Sequence, residues 1–222
     1  MPAHVGIIMD GNRRWAREKG LLPFEGHRAG YQKIKEVGEW FLDAGVKILT
    51  LFTFSTENWK RPKDEVDFLM DFLHLAFTQD IGDLHKKNIR VMVIGRKTDL
   101  STKIQSAIAK AEELTRNNTR GTLNLAISYG GRAELVDAFK KIRESGQSEI
   151  TEEVIAKHIY TADLPDPDLI IRTSGEQRLS GFLLWQSAYS ELYFCSRHWP
   201  DFAREDFDAA LKSFAERQRR FG

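Results

Sequence analysis

Short apolar runs alternate with amphipathic segments along the whole chain. The runs are rich in Val, Ile, Leu and Phe and are typical of buried strands. They lie at Val5–Met9, Val46–Phe54, Ile89–Ile94, Leu123–Ser128 and Leu169–Thr173, with a weaker candidate at Leu192–Phe194. Strands separated by helices pair in parallel, so the pattern predicts an α/β fold with an open, mostly parallel sheet flanked by helices. No linker-like stretch or internal repeat interrupts it, which indicates a single domain over residues 1–222.

Apolar residues at helical spacing predict helices between and after these strands. The stripes run from Tyr31 to Phe41, from Ile104 to Leu114, from Leu135 to Ile142 and from Phe207 to Phe214. Ser101 precedes the second stripe where a hydroxyl caps a helix N-terminus, so we expect that helix to begin just after it. In sheets of this kind, ligands bind beyond the C-terminal ends of the strands.

The segment Val66–Ile81 is more apolar than one stripe requires. One interpretation is a helix buried on two sides or at a dimer contact. The other is one wall of a cavity for a long apolar ligand. The pattern alone leaves both open.

Composition narrows the class of protein. Of 222 residues, 41% are hydrophobic and 29% are charged, as in soluble globular proteins. The net charge of +1 gives no general attraction to nucleic acid or to an anionic membrane. Cys195 is the only cysteine, no apolar run approaches the ~20 residues of a membrane span, and no signal-peptide pattern opens the chain. We therefore expect a cytoplasmic protein without nucleic-acid partners or a transmembrane segment.

A polar cluster directly follows the first predicted strand. Its sequence is Asp10-Gly11-Asn12-Arg13-Arg14-Trp15. Gly and Asn permit a turn with positive φ, and the helix that follows presents free N–H groups to an anion. The two arginines add forked donors, and the aspartate is placed to hold a cation. The cluster predicts a metal–diphosphate site, with a plain β–α turn and solvated arginines as the alternative.

Two further polar clusters follow predicted strands. The second, Ser55-Thr56-Glu57-Asn58-Trp59-Lys60-Arg61-Pro62, offers hydroxyls, an amide, an acid and a guanidinium; the alternative is a loop that caps the next helix. In the third, Arg172 to Ser180, two arginines bracket Ser-Gly and suit a second phosphate group. All three clusters are predicted at the same edge of one sheet.

The sequence lacks several motifs that mark other kinds of site. It contains no P-loop, Gly-x-Gly-x-x-Gly, Cys-x-x-Cys, His-Glu-x-x-His or Asp-Asp element. Their absence argues against the nucleotide, zinc and trans-prenyl synthase sites that use them.

Five stretches resemble the ordered motifs of the cis-prenyltransferases, the undecaprenyl diphosphate synthase family. They are His4–Trp15, Phe54–Pro62, Tyr129–Arg132, Asp168–Glu176 and Ser190–Phe194. The resemblance spans nearly the whole chain. It implies a homodimer of α/β subunits, each with a hydrophobic tunnel, in which the Val66–Ile81 helix forms part of the tunnel wall. It also implies Mg²⁺-dependent joining of isopentenyl diphosphate to an allylic diphosphate such as farnesyl diphosphate, with a new cis double bond.

The resemblance also implies roles for individual residues. Asp10 positions Mg²⁺, with Glu191 as a second acidic metal contact. The residues that bind the allylic diphosphate are Gly11, Asn12, Arg13, Arg14, Trp15 and His27. The residues that bind isopentenyl diphosphate are Arg172, Arg178, Leu179 and Ser180. The loop that links the two sites contains Ser55, Thr56, Glu57, Asn58, Trp59 and Arg61. Since an amide is a poor base, we expect Asn58 to orient substrate while pyrophosphate or Asp10 takes the proton.

Two departures from the family pattern bear on the product. Arg13 stands where many bacterial undecaprenyl synthases have glycine, and Pro23 stands where an arginine phosphate contact is common. A long-chain, undecaprenyl-like product is favoured, because the moderately small Thr53 points to the same face as Ser55 and leaves the passage open. The alternatives are a short or branched product, another alcohol acceptor, or a non-catalytic scaffold subunit. The C-terminal tail Arg220–Gly222 resembles the tail that, in the family, reaches the active site of the other subunit. We also expect the product to pass to a membrane, with the enzyme peripheral to that membrane.

Overall fold

The structure, a computed structural model, describes residues 1–217. The tail Arg220–Gly222, for which a contact across the dimer is expected, lies outside the described residues. Each predicted strand is present, with ends shifted by at most two residues. The strands are β1 (His4–Ile8), β2 (Ile48–Ser55), β3 (Ile89–Ile94), β4 (Gly121–Tyr129), β5 (Leu169–Arg172) and β6 (Glu191–Phe194).

All strand pairs in the described residues are parallel, in the order β3-β4-β2-β1-β5-β6, which confirms the predicted open sheet. The chain leaves β1 toward β2 on one side and later returns to β5 on the other. The strand order therefore reverses at β1, and such a switch point opens a crevice at the carboxyl ends of the strands. In register, Ile8 lies level with Phe52 of β2 and Arg172 of β5. The first and third polar clusters therefore leave the sheet side by side.

Helices cover the sheet. They are α1 (Asn12–Glu18), α2 (Pro23–Asp43), α3 (Lys63–Leu75), α4 (Ile81–Lys86), α5 (Thr102–Thr115), α6 (Gly131–Glu144), α7 (Glu152–Ala156) and α8 (Arg204–Glu216). The predicted cap is confirmed, since the Ser101 hydroxyl accepts the Ile104 N–H at 3.4 Å. Pro23 opens α2, where its fixed φ suits the first helical turn and its missing N–H has no partner to lose. In the part of the chain that the structure describes, no helix is both long and apolar enough to cross a bilayer.

The apolar segment Val66–Ile81 is not one regular helix. It comprises most of α3, one π-helical turn at Ala76–Asp80, called here the π-turn, and the first residue of α4. Leu73 and Phe77 are buried, and both line a cavity enclosed between this segment, α2 and the sheet. Of the two interpretations, the cavity wall is the one that the structure shows.

The stripe predicted from Leu135 to Ile142 is only partly correct. Ala138 and Ile142 are buried on the inner face of α6, as is Glu134, but Val136 is 50% exposed and Phe139 is 45% exposed. Glu134 can occupy the inner face of α6 because the Tyr129 hydroxyl, the Tyr160 backbone N–H and the Gln186 amide donate hydrogen bonds to its carboxylate. Two large apolar side chains consequently face outward on α6.

Candidate active site

A cavity of about 910 Å³ begins at the carboxyl ends of β1, β2 and β5 and extends between α2 and α3. One end, called here the polar mouth, is lined by charged and hydrogen-bonding side chains. These are Asp10, Asn12, Arg13, Arg14, His27, Ser55, Asn58, Arg61, Arg172 and Ser180. Beyond the mouth the lining becomes apolar, with side chains such as Phe54, Leu69, Leu73, Leu123 and Leu125. The site can therefore hold a molecule with a charged head and a hydrocarbon tail.

Asp10 lies at the centre of the polar mouth between two guanidinium groups. Arg172 Nη2 lies 2.9 Å and Arg14 Nη2 lies 3.0 Å from the same carboxylate oxygen, Oδ2. Burial alone would raise the pKa of Asp10, but the hydrogen bonds and charges of Arg172 and Arg14 outweigh it and hold the pKa below its ordinary value. Asp10 is therefore ionised at neutral pH and is a weak base.

The backbone of the Asp10 turn is clamped from behind. The Thr173 hydroxyl donates to the Asp10 carbonyl at 2.7 Å and accepts the Asp10 N–H at 2.9 Å. The Trp199 N–H also donates to the Asp10 carbonyl, at 3.0 Å. Gly11 has φ +104°, and a Cβ there would meet Ser174 Oγ at 2.7 Å. Only glycine fits at this point, because both the positive φ and the close approach exclude a side chain.

Glycines in α2 allow the first cluster to lie against that helix. A Cβ at Gly26 would meet the Asn12 carbonyl oxygen at 2.1 Å, and one at Gly30 would meet Asn12 Oδ1 at 2.4 Å. The four-residue spacing places both glycines on one face of α2. The turn and α2 therefore approach closely enough to bring His27 of α2 to the polar mouth.

Glu65, at the start of α3, is a site residue that the sequence motifs do not reveal. Its buried carboxylate accepts hydrogen bonds from His27 Nε2 at 3.1 Å and from Arg61 Nη1 at 3.0 Å, and Arg13 Nη1 lies 3.7 Å away. Burial lowers the pKa of His27, and the nearby Arg61 and Arg13 act in the same direction against the opposing effect of Glu65. One carboxylate thus lies beside two groups predicted to bind the allylic diphosphate, His27 and Arg13, and beside Arg61 of the linking loop. The available signal was the Arg61–Glu65 spacing of four residues just before the apolar segment Val66–Ile81.

The second cluster divides between the cavity and its support. Ser55 and Asn58 line the polar mouth, and Asn58 Oδ1 accepts the Ser55 N–H at 3.0 Å, which fixes the amide. Trp59 does not line the cavity; its indole N–H donates to Ser128 Oγ at 2.9 Å and its ring packs edge-on against Phe54. Arg61 lines the mouth, whereas Thr56 and Glu57 are outside the lining, and Glu57 is exposed.

The third cluster is divided in the same way. Arg172 is buried and donates to Ser180 Oγ at 2.9 Å and to the Arg178 carbonyl. Its Nε–H is buried without a partner among residues 1–217. Arg178 is 61% exposed, pairs with Glu176 and does not line the cavity. Leu179 is also outside the lining and packs against the buried cluster that contains Ile170 and Phe182. Trp15 of the first cluster also lies outside the cavity lining, under Lys19.

The structure does not bring Glu191 to Asp10 within one chain. Glu191 opens β6 level with Leu169, at the amino end of β5, whereas Asp10 follows the carboxyl end of β1. Three residues of strand, about 10 Å, separate these two levels of the sheet. Glu191 instead pairs with Arg217 at 2.7 Å.

The polar mouth fits a magnesium ion that arrives with a phosphate ligand. Mg²⁺ is commonly held by one or two carboxylates together with substrate phosphates. Arg14 and Arg172 both form their ion pairs with the Oδ2 atom of Asp10. The other carboxylate oxygen, Oδ1, is therefore the one left for a cation. Residues 1–217 contain no group of three or more His, Cys, Asp or Glu side chains that could hold a metal ion.

Comparison with known proteins identifies the family. The sequence model described as "Putative undecaprenyl diphosphate synthase" matches residues 8–222. An isoprenyl transferase of Thermotoga maritima is 49% identical over 226 residues, covering 100% of this chain and 97% of that protein. A tritrans,polycis-undecaprenyl-diphosphate synthase (geranylgeranyl-diphosphate specific) of Methanocaldococcus jannaschii is 50% identical over 232 residues, covering 100% of this chain and 83% of that protein.

Solved structures agree with this family. Lavandulyl diphosphate synthase from Lavandula x intermedia, in complex with dimethylallyl diphosphate, superposes with a TM-score of 0.95 at 39% identity, covering 100% of this chain and 98% of that one. A probable undecaprenyl diphosphate synthase from Campylobacter jejuni superposes with a TM-score of 0.85 at 35% identity, covering 100% and 99%. The fold and the polar mouth above an apolar cavity define a transferase for amphipathic substrates. The chain belongs to the undecaprenyl diphosphate synthase family of cis-prenyltransferases, enzymes that elongate prenyl chains.

Proposed function

We propose that this enzyme condenses isopentenyl diphosphate with an allylic diphosphate such as farnesyl diphosphate and releases a long-chain, undecaprenyl-like product. The observation that carries the proposal is the continuity between the polar mouth and the apolar cavity of about 910 Å³. The mouth suits two diphosphate groups, and the apolar part suits the growing chain. All the proposed groups belong to the single domain proposed over residues 1–222.

The allylic diphosphate is held by the first cluster and its neighbours. Arg13, Arg14 and His27 surround the mouth together with the backbone of Gly11 and Asn12. Breaking the C1–O bond leaves cation character on C1 and concentrates negative charge on the departing pyrophosphate. Fixed positive groups stabilise that charge as it grows, and the apolar lining keeps water from the cation.

Isopentenyl diphosphate is held by Arg172 and Ser180, with Arg178 closing over it from its exposed position. The place of Arg172 in the cavity lining, where Asp10 and Ser180 hold its guanidinium, supports this assignment. The C4 carbon attacks C1 of the allylic partner, and a proton leaves C2 to form the cis double bond. Because its low pKa makes Asp10 a weak base, the departing pyrophosphate is the better proton acceptor. Asn58, fixed by Ser55, orients the substrate.

Asp10 would hold a magnesium ion that arrives with the diphosphate substrate. When bound, the ion neutralises phosphate charge and assists departure of the pyrophosphate. Glu191 is retained as a second metal contact only if another copy of the chain supplies it, because the sheet register separates it from Asp10. A homodimer is also favoured by the outward-facing Val136 and Phe139 of α6, which a second copy would cover.

The cytoplasm is the proposed location, with the product passed to a membrane. A branched or short-chain product is the second candidate, because the TM-score of 0.95 relates the chain to lavandulyl diphosphate synthase. The apolar cavity beyond Thr53 favours elongation over that candidate. A scaffold subunit is disfavoured, since Asp10, Arg14 and Arg172 all face the mouth.

Asp10→Ala tests the proposed role of the central carboxylate. We expect turnover to be abolished at every Mg²⁺ concentration. The Tm should fall, because the buried Arg172 loses its acidic partner, so activity is compared at a temperature at which the melting curve shows the variant still folded. Asp163→Ala, which removes an exposed carboxylate far from the mouth, is the matched control and should keep full activity. Near-parental turnover of the Asp10 variant at saturating Mg²⁺ would refute the assignment.

A further inference from the structure

One helical wall separates two spaces in this protein. On the inner side of α3, the π-turn and α4 lies the main cavity of about 910 Å³. On the outer side, between the π-turn and α5, lies a groove of about 440 Å³, called here the α5 groove. Phe77 and Ile81 line both spaces, so single side chains form the partition between them.

The partition is built on irregular helix. Phe77 lies in the π-turn and is 4% exposed, and Ile81 follows it at 9%. The Thr78 hydroxyl donates a hydrogen bond to the His74 carbonyl oxygen at 2.8 Å. Such a side-chain donor competes with the backbone N–H groups that bond to this carbonyl in a regular helix. A π-helical turn is rare and is frequently found at functional sites. Its wider bonding pattern makes this the least regular part of the wall.

The α5 groove suits a narrow hydrocarbon chain. Its inner side is formed by the small side chains of Ala107 and Ala111, and Leu114, 47% exposed, lies along it. Ser106 and Lys110 lie at its open side and are exposed. Small side chains leave space at the centre, while the lysine stem can cover apolar surface with its charge in water.

Among residues 1–217, charged side chains rather than an apolar outlet lie at the far end of the main cavity. That end is lined by charged side chains of α2, the π-turn and the residue that follows α4. Lys35 Nζ lies 2.9 Å from Asp80, Tyr31 donates to the same carboxylate, and Lys87 pairs with Glu39. A hydrocarbon that left the cavity there would have to separate these ion pairs and enter water, which is unfavourable.

We propose that Phe77 is a gate that sets product length, and that the distal end of a growing prenyl chain passes it to lie in the α5 groove. This inference rests on the proposed elongation function and adds the route that the chain takes once the main cavity is full. Phe77 and Ile81 line both spaces, so the nearest apolar occupant for the groove is the chain already held on the other side of these two side chains. Phe77 is thus a specificity-determining residue remote from the polar mouth.

Product ladders made from labelled isopentenyl diphosphate and separated by mass test the gate. Phe77→Ala should shift the main product by at least one isoprene unit to greater length, and Phe77→Leu should do so to a smaller extent with less risk to folding. Ser106→Trp fills the groove from an exposed position and should shift the main product to shorter lengths. In the double variant Phe77→Ala/Ser106→Trp, the lengthening should be lost.

The controls separate this inference from the function on which it rests. Ala109→Trp places the same bulk on an exposed position of α5 outside the groove and should give the parental ladder. If the double variant keeps the longer products, the chain does not enter the groove and the inference is overturned. If the parent elongates and every folded variant gives its ladder, the gate alone is refuted. If the parent makes no prenyl product, the proposed function fails first.

Discussion

Replacing Arg172 with methionine probes the link between the two diphosphate positions. The guanidinium is buried at the cavity lining and donates to Asp10 Oδ2 at 2.9 Å and to Ser180 Oγ at 2.9 Å. Methionine keeps an unbranched side chain that reaches as far as the Nε position of arginine, and it removes the charge and every donor. The variant therefore tests hydrogen bonding and charge with little change in packing.

The expected loss follows from the contacts. One charge-assisted hydrogen bond to a diphosphate contributes roughly 1.5–3 kcal/mol, which is about a ten- to hundredfold rise in KM for isopentenyl diphosphate. The allylic KM should change less, because Arg13, Arg14 and His27 remain. A second effect reports on Asp10. Without Arg172, burial is opposed by Arg14 alone, so the pKa of Asp10 rises and the acidic limb of the kcat/KM profile moves to higher pH.

Steady-state kinetics with each substrate varied in turn, repeated between pH 4.5 and 8, give both readouts. Arg178→Met is the matched control, since that side chain is 61% exposed and outside the cavity lining. It should raise the same KM less and leave the acidic limb in place. A collapse of allylic affinity in the Arg172 variant, with the isopentenyl diphosphate KM unchanged, would show that the two diphosphate positions have been exchanged.

Three further changes have defined outcomes. Glu65→Gln removes the group that opposes the lowering of the His27 pKa, so an NMR titration should show a still lower pKa, while Asp64→Asn leaves it unchanged. Thr53→Phe should truncate the product ladder, since Thr53 lines the cavity beside Ser55; parental lengths from a folded variant would contradict this. Burial lowers the pKa of His4 below 6.5, so the unfolded state binds more protons. The Tm should therefore fall as the pH drops below about 6.5, and His4→Gln should flatten that dependence.

The sheet was predictable because its strands are buried on both faces and read as continuous apolar runs. Even β6 was identified, although its side chains are only half-buried at the edge of the sheet. The polar mouth was predictable for the same reason, because clusters that end neighbouring parallel strands meet at one edge. Asp10 and Arg172 lie 162 residues apart in the chain and form an ion pair at 2.9 Å.

What the sequence could not show depends on tertiary contacts. Glu65 carries no motif of its own and becomes a site residue only because α2 brings His27 to it. The π-turn interrupts an apolar segment that has the composition of a regular helix. Glu191 was expected beside Asp10, but the register of β6 places it at the other end of the strands. Val136 was expected in the core, but Glu134 and its hydrogen-bond donors occupy the inner face of α6.

The central claim is that the polar mouth performs cis condensation and the apolar cavity holds the chain. The most direct test is to incubate the enzyme with Mg²⁺, labelled isopentenyl diphosphate and, in separate reactions, dimethylallyl, farnesyl or geranylgeranyl diphosphate. Products are then resolved by mass and their double bonds are assigned by NMR. We expect a ladder that grows by single isoprene units, each added with cis geometry, from at least one starter. A single branched condensation product, or added units with trans double bonds, would contradict the account.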